Sequence, residues 1–285
     1  MSDQEAFGRL DVECVQALLT TTTFGRRLVY RSRIGSTNDL AKELAAAGAP
    51  EGTVVIADEQ TAGRGRLGRR WLAPPGSALL CSILFRPALP LRSAPQLTMV
   101  CSLAAADASA SIADLDVALK WPNDLVVASG EDGGGPEWRK LAGLLTETGV
   151  MGERLDFVVV GLGLNVNLAA EVLPEIAPGA TSLLAETGRS VDREALLAAL
   201  LARVEGRYAD LQAGRSPHVE WATRLATLGR HVRATTAGGP VEGVAEAVDA
   251  DGALLLRATD GILHRLVAGD VTLASGAGRS TLPSP

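Results

Sequence analysis

Residues 155–164 read Leu-Asp-Phe-Val-Val-Val-Gly-Leu-Gly-Leu, with a single charge. A segment this short, apolar and β-branched is a strand covered on both faces, and it belongs in the middle of a sheet. The rest of the chain must therefore supply flanking strands and covering helices. Segment 141–148 reads as its immediate neighbour, and 27–34, 53–57, 78–85, 117–121 and 125–128 read as further strands. Helical patterns cover 5–20, 40–47, 93–115, 193–211 and 218–228. The second of these follows Ser36, Thr37, Asn38 and Asp39 and ends at Gly48, which are helix start and stop signals.

The texture changes after Gly229. Short strand-like runs at 232–236, 241–248, 253–257, 262–267 and 270–273 are separated at Gly238-Gly239, Asp251-Gly252 and Asp260-Gly261. Asp-Gly between alternating runs is a hairpin signal. These runs predict a small β-barrel docked on a neighbour, since about 50 residues alone bury little surface. The expected division is a first domain over 1–228, a second over 229–274 and a disordered tail over 275–285, rich in Gly, Ser and Pro.

The formal charge of −6 argues against a surface that is one large partner for nucleic acid or anionic membrane. No run of about 18 apolar residues is present, so no membrane span is expected. The N-terminal residues lack a basic and then apolar signal region. Cys14, Cys81 and Cys101 fall in unrelated settings, which fits a reducing cytoplasm better than a disulfide framework or a zinc site. Of the 27 basic residues only Lys42, Lys120 and Lys140 are lysines. In a chain that uses Arg nearly everywhere, a retained Lys marks a place where Arg does not fit.

Chemistry concentrates in a few segments. In Asp58-Glu-Gln-Thr-Ala-Gly63-Arg64-Gly65-Arg66-Leu67-Gly68-Arg69-Arg70-Trp71, four arginines fall within seven residues among three glycines. Glycine lets backbone approach a ligand, and Arg grips phosphate oxygens in pairs. Each such contact gains roughly 4 kcal/mol at 4 Å and an effective dielectric near 20, before desolvation. Four unpartnered like charges repel, so the loop is expected to be loose when empty and ordered by a polyphosphate. A solvated turn and an RNA-binding Arg-Gly segment are the other readings. The segment is not a P-loop, because no Gly-Lys-Ser/Thr ends it.

Lys120-Trp121-Pro122-Asn123-Asp124 presents polar heads at a strand end, either as an ordinary turn or as a carboxylate that serves as base or holds a lysine. Lys140 precedes Leu-Ala-Gly143 and is either a surface lysine or an ammonium aimed at developing charge. Gly161 and Gly163 in a buried strand suggest close approach by a ligand or another chain, and no third glycine makes them a dinucleotide fingerprint. Ser36-Thr37-Asn38 is either a helix cap or a polar wall for a small ring.

In this order and spacing, the five segments resemble the biotin–protein ligase family. The matching stretches span about 130 residues, and the pairing of Gly-Arg-Gly-Arg with Lys-Trp-Pro-Asn-Asp is their most specific part. The resemblance implies an α+β (α/β) fold: a mixed β-sheet flanked by helices, similar to class II synthetases, then a small SH3-like barrel. It implies an enzyme that forms biotinyl-5′-AMP from biotin and ATP with Mg²⁺, then passes biotin to a lysine of the biotin carboxyl carrier domain of a biotin-dependent carboxylase. Some relatives carry an N-terminal DNA-binding domain. About 35 residues precede Ser36, so the enzyme-only type is expected, cytoplasmic, a monomer or weak homodimer, with no nucleic-acid or membrane partner.

Residue by residue, the resemblance implies that Ser36, Thr37, Asn38 and Gln60 hold biotin. Arg64, Gly65 and Arg66 close over its carboxylate and the α-phosphate. Arg69 neutralises pyrophosphate, Trp71 faces adenine, and Asn165 reads adenine's amino edge. Lys140 contacts both biotin and ATP, and Asp124 orients or deprotonates the acceptor lysine. No protein-held metal is implied. The chain departs from the family pattern at 129–136, where an enlarged Gly-rich loop stands in place of a short hairpin turn. A lipoate ligase on the same fold and a non-enzymatic RNA-binding protein are the competing readings. The acidic total and the lack of aromatics among the loop arginines weigh against the second.

Overall fold

The central strand predicted at 155–164 forms at Arg154–Asn165 (β7) and is the fourth of seven in its sheet. The structure is a computed structural model, and it describes residues 8–130, 137–152, 154–236, 239–267 and 269–273. The other strands of this sheet are β1 (Leu28–Ile34), β2 (Val54–Gln60), β3 (Ala78–Phe85), β4 (Ala118–Lys120), β5 (Asp124–Ser129) and β6 (Glu137–Met151). Their order is β1-β2-β3-β7-β6-β5-β4. Only β1 and β2 run parallel, joined across α2 (Thr37–Ala46); every other pairing is antiparallel. The sheet is therefore mixed, as expected.

Side-chain alternation sends each strand's residues to two faces. On β7, Val158, Val160, Leu162 and Leu164 enter the larger core, with Leu79, Cys81, Ile83 and Phe85 of β3. α1 (Val12–Leu18), α3 (Pro95–Ala113) and α6 (Arg193–Gln212) supply helical residues to that core. On the other face, Val55, Leu84 and Val159 pack on Ala41 and Ala45 of α2. Gly161 and Gly163 share this second face with Val159, beside the start of α2. Short helices α4 (Leu173–Ile176), α5 (Leu183–Thr187) and α7 (His218–Thr223) fill the connections.

A second, antiparallel sheet follows: β8 (His231–Thr236), β9 (Gly239–Val248), β10 (Leu254–Ala258), β11 (Leu263–Leu266) and β12 (Asp270–Leu273), in the order β11-β10-β9-β8-β12. The predicted turns at Asp251-Gly252 and Asp260-Gly261 close its hairpins. Its buried residues Val232, Ala245, Leu254 and Leu256 join the larger core. Trp121 Nε1 donates to Gly252 O at 2.9 Å, and His218 Nε2 lies 2.8 Å from Val248 O. The predicted helix 5–20 is shorter than expected, because Asp11 caps it by accepting from the amides of Glu13 and Cys14. The start of that prediction, most of the Gly-rich loop and the tail 275–285 lie outside the described residues.

Candidate active site

The site lies on the α2 face of the sheet, where β7 carries two glycines. Ser36 stands at the N-cap of α2 but makes no side-chain cap bond. Ser36, Thr37 and Asn38 are buried and turn toward the sheet. The amide and Oγ1 of Thr37 both donate to Gln60 Oε1, at 2.7 and 3.0 Å. Ser82 Oγ donates to Asn38 Oδ1 at 2.6 Å and lies 2.8 Å from Thr37 Oγ1. Asn38 Nδ2 donates to Leu145 O at 3.1 Å and to Glu147 Oε2 at 2.8 Å. A side chain on Gly161 would collide with Asn38 Oδ1. The close approach to these glycines is thus made by the protein's own Asn38 and Trp71.

The glycine-arginine segment is a small hairpin. Gly65 N donates to Arg69 O at 2.7 Å, and Trp71 N to Gly63 O at 2.9 Å. Its tip is Leu67-Gly68, both at positive φ, and Leu67 at +55° holds a conformation that costs a non-glycine residue about 1 kcal/mol or more. The expectation of four unpartnered charges is corrected, because each arginine has a partner. Arg64 Nη2 pairs with Asp39 Oδ1 (2.6 Å) and Glu147 Oε2 (2.9 Å). Arg66 Nη1 donates to Asn123 Oδ1 at 3.2 Å, Arg69 pairs with Asp270, and Arg70 Nη2 donates to Thr61 O at 3.3 Å. Burial pushes the Arg66 guanidinium below its ordinary pKa, so this cation meets a ligand already partly desolvated.

Lys140 reaches the site through a fault in the strand. The β5–β6 register runs Leu125↔Ala142 and then Val126↔Lys140, so Leu141 is an extra residue. Without that bulge, Lys140 would share the core face of Ala142 and Leu144; with it, Leu141 enters the core and Lys140 faces the site. Lys140 Nζ lies 2.7 Å from Asp124 Oδ1 and 5.8 Å from the Trp71 ring centroid. Its backbone is fixed by Gly179 and Thr181, at 3.0 and 2.8 Å. The Trp71 indole N–H is buried with no partner among the described residues.

One cavity of about 110 Å³ brings together Ser36, Thr37, Asn38, Gln60, Arg64, Gly65, Arg66, Arg69, Trp71, Asp124 and Lys140. Asn165 does not line it. That side chain is buried, and Nδ2 donates to Thr181 O at 2.9 Å, which braces the segment holding Lys140. Reading adenine's amino group would fall to its acceptor, Oδ1. Sequence reasoning missed Ser82, Glu147 and Asp270. Ser82 is the one hydroxyl in an otherwise apolar strand, a signal that was there to read. Asp270 lines the same cavity from β12. Burial raises its pKa, but the hydrogen bond and charge of Arg69, with Lys120 and Lys140 nearby, hold the carboxyl below its ordinary range. Among the described residues, no three His, Cys, Asp or Glu side chains gather as a metal cage.

A mixed sheet that sets an arginine hairpin over a pocket joining polar hydroxyls to a lysine–carboxylate pair defines a class of ligases. The family described as Biotin/lipoate A/B protein ligase matches residues 30–165, and the Biotin protein ligase C terminal domain matches 227–273. The chain is 35% identical over 269 residues to the bifunctional ligase/repressor BirA of Bacillus spizizenii, covering 93% of this chain and 80% of that protein. It is 35% identical over 238 residues to the biotin--[acetyl-CoA-carboxylase] ligase of Mycobacterium tuberculosis, covering 81% and 83%. The biotin protein ligase from Aquifex aeolicus in complex with biotin and ATP superposes with a TM-score of 0.70 at 28% identity, over 88% of this chain and 99% of that one. The chain belongs to the biotin/lipoate A/B protein ligase family.

Proposed function

We propose that the protein is an ATP-dependent biotin ligase that makes biotinyl-5′-AMP and transfers biotin to a lysine of a biotin carboxyl carrier domain. The observation that carries this reading is the single cavity in which the Thr37–Gln60 wall adjoins Arg66 and the Lys140–Asp124 pair. The relatives agree: the M. tuberculosis protein is named for a carboxylase acceptor, and the A. aeolicus structure holds biotin and ATP.

The polar wall takes the ureido ring, whose donors and acceptors match the hydroxyls and amides of Ser36, Thr37, Asn38 and Gln60. A biotin carboxylate oxygen attacks the α-phosphorus of ATP, and the bond to the β-phosphate oxygen breaks, releasing pyrophosphate. Lys140 and Arg66 stabilise the negative charge that builds on the α-phosphate oxygens. Arg69 meets the departing pyrophosphate and Trp71 faces adenine, while Asn165, buried outside the cavity, would reach adenine's amino group only through its Oδ1. The acceptor lysine has an ordinary pKa near 10.4 and needs to lose a proton before it attacks. Asp124 orients it and takes that proton; the nitrogen then attacks the acyl carbon, and AMP leaves with the mixed-anhydride oxygen. Mg²⁺ would arrive on the nucleotide phosphates; Asp124 and Asp270, the carboxylates that line the cavity, are the residues that would hold it, and it would supply charge neutralisation at the pyrophosphate.

We read residues 1–228 as the catalytic part and 229–274 as an appended unit that lends Asp270 to the site. No helix among the described residues is long and apolar enough to cross a membrane, and we read the protein as acting in the cytoplasm. The test is incubation with ATP, Mg²⁺ and either biotin or lipoate, following pyrophosphate, then transfer of labelled biotin to a purified carrier domain. Pyrophosphate with lipoate and none with biotin would replace this reading with lipoate ligation.

A further inference from the structure

Glu147 is bonded to two separate parts of the site and lines neither. It lies on β6, on the site side of the sheet. Its Oε2 accepts from Asn38 Nδ2 (2.8 Å) and Arg64 Nη2 (2.9 Å), and its Oε1 from Lys42 Nζ (2.7 Å). Asp39 Oδ1 completes the cluster, 2.6 Å from Arg64 and 3.1 Å from Lys42. Glu147 borders the neighbouring groove rather than the 110 Å³ cavity.

Two cations and two carboxylates cancel. Arg64 is therefore spent on internal partners, whereas among the described residues Arg66 hydrogen-bonds the neutral amide of Asn123 and makes no ion pair, with Asp124 and Asp270 acting on it from further off. The hairpin thus has a fixed foot at Arg64 and its available charge further along. Asn38 is fixed by the same carboxylate: its amide donates to Leu145 O and Glu147, while its Oδ1 receives Ser82 Oγ. Charge-assisted bonds of this kind are about twice as strong as neutral ones. One side chain from β6 thus ties the pocket wall on α2 to the root of the arginine hairpin.

We propose that Glu147 is a positioning residue that holds the Asn38 wall and the Arg64 foot in fixed relation for the ligase reaction, a role that rests on the reading above. Lys42 separates this from a merely structural ion pair. Its ammonium bonds the same carboxylate and Asp39, and among the described residues it makes no bond of its own to the Asn38 side chain or to the hairpin.

The experiment compares wild type, Glu147→Gln, Lys42→Met and Arg64→Gln. Limited trypsin digestion without ligand reads cleavage after Arg66, Arg69 and Arg70. Glu147→Gln and Arg64→Gln should be cut there several-fold faster than wild type, and Lys42→Met should not. In steady state, Glu147→Gln should raise the KM for biotin about tenfold, as for one lost charged hydrogen bond, with kcat for adenylate formation within about twofold. Equal hairpin cleavage in wild type and Glu147→Gln, or equal acceleration in Lys42→Met, overturns the proposal. If Glu147→Gln does not fold, Arg64→Gln decides from the hairpin side, and unaccelerated cleavage there overturns it as well. Digestion needs no substrate, so a wild type that made no biotinyl-adenylate would sink the ligase reading alone.

Discussion

Trp71 occupies the space that a side chain on Gly163 would fill: a Cβ there would lie 2.5 Å from Trp71 Cε2. Trp71 also forms part of the cavity wall beside Lys140. Gly163→Ala must displace a ring wedged against the central strand, because the strand cannot move. The expected loss is about 1–3 kcal/mol of stability by overpacking and roughly tenfold or more in adenylate formation from a misplaced wall. Denaturant unfolding and pyrophosphate release measure the two. Gly206 on α6 has open space around it, so Gly206→Ala should stabilise by about 0.5–1 kcal/mol.

Lys140→Ala should slow adenylate formation by roughly a hundredfold or more, the scale for removing one charge-stabilising donor. The fold should persist, since the side chain faces the cavity and its Asp124 bond is partly exposed. Pyrophosphate release and circular dichroism check this together. An unchanged first-step rate would remove Lys140 from the chemistry.

The strands of the large sheet and the hairpins of the small one were legible because their signals are local. Alternation, apolar runs and Asp-Gly pairs are read within a few residues. The wall and the glycine-arginine segment were legible for the same reason, as short runs of unusual residues, although the segment reads as a loose loop and forms a hairpin. The state of the hairpin was not. Arg64 finds Glu147 83 residues away, and Arg69 finds Asp270 201 residues away. Such pairings depend on how the sheets and α2 pack, which no local pattern encodes. Lys140 was picked out by its residue type, whereas the bulge that turns it into the site has no sequence mark.

Asp107 accepts from Arg207 on α6 and Arg224 after α7. Burial pushes its carboxyl up, but the two guanidiniums more than offset this and hold it below its ordinary value. A depressed carboxylate adds stability that is complete above its unfolded pKa, near 4, and is lost as pH falls through the native value. Asp107→Asn should cost about 2 kcal/mol at pH 7, on the scale of charged hydrogen bonds. It should also flatten the decline in stability below about pH 4. Denaturant midpoints across pH 3–7, with and without the substitution, read both effects.

Arg193 and Asp58 form a buried pair at 2.9 Å, with side-chain exposures of 5% and 7%. Tyr30 Oη also donates to Asp58, and Arg193 donates to Gly8 O. Arg193→Met leaves a buried carboxylate without its cation, which costs about 3–5 kcal/mol. Adding Asp58→Leu should recover part of this, because no charge then remains inside. Urea unfolding of the single and double variants measures the recovery. A double variant weaker than Arg193→Met would mean that the bonds of Asp58 to Tyr30 and the Leu10 amide outweigh the unpaired charge.

Asp270→Asn separates binding from stability. Asp270 joins β12 to the hairpin through Arg69, whose side chain is 61% exposed. An ion pair that open contributes about 1 kcal/mol or less to folding, so the unfolding midpoint should barely move. The effect on the nucleotide should be larger, because Arg69 loses its anchor to the second sheet and must be ordered anew by the phosphates. That ordering works against binding, by about 0.5–1.5 kcal/mol for one long side chain, and should raise the KM for ATP several-fold. Removing a cavity carboxylate also reduces repulsion toward phosphate, which acts in the opposite direction. At 0.5 M salt that repulsion is screened, whereas the ordering cost is not. A KM for ATP that stays high in Asp270→Asn at both salt concentrations would identify the anchor as the dominant effect. A KM that falls below wild type at low salt would show that Asp270 chiefly repels the phosphates.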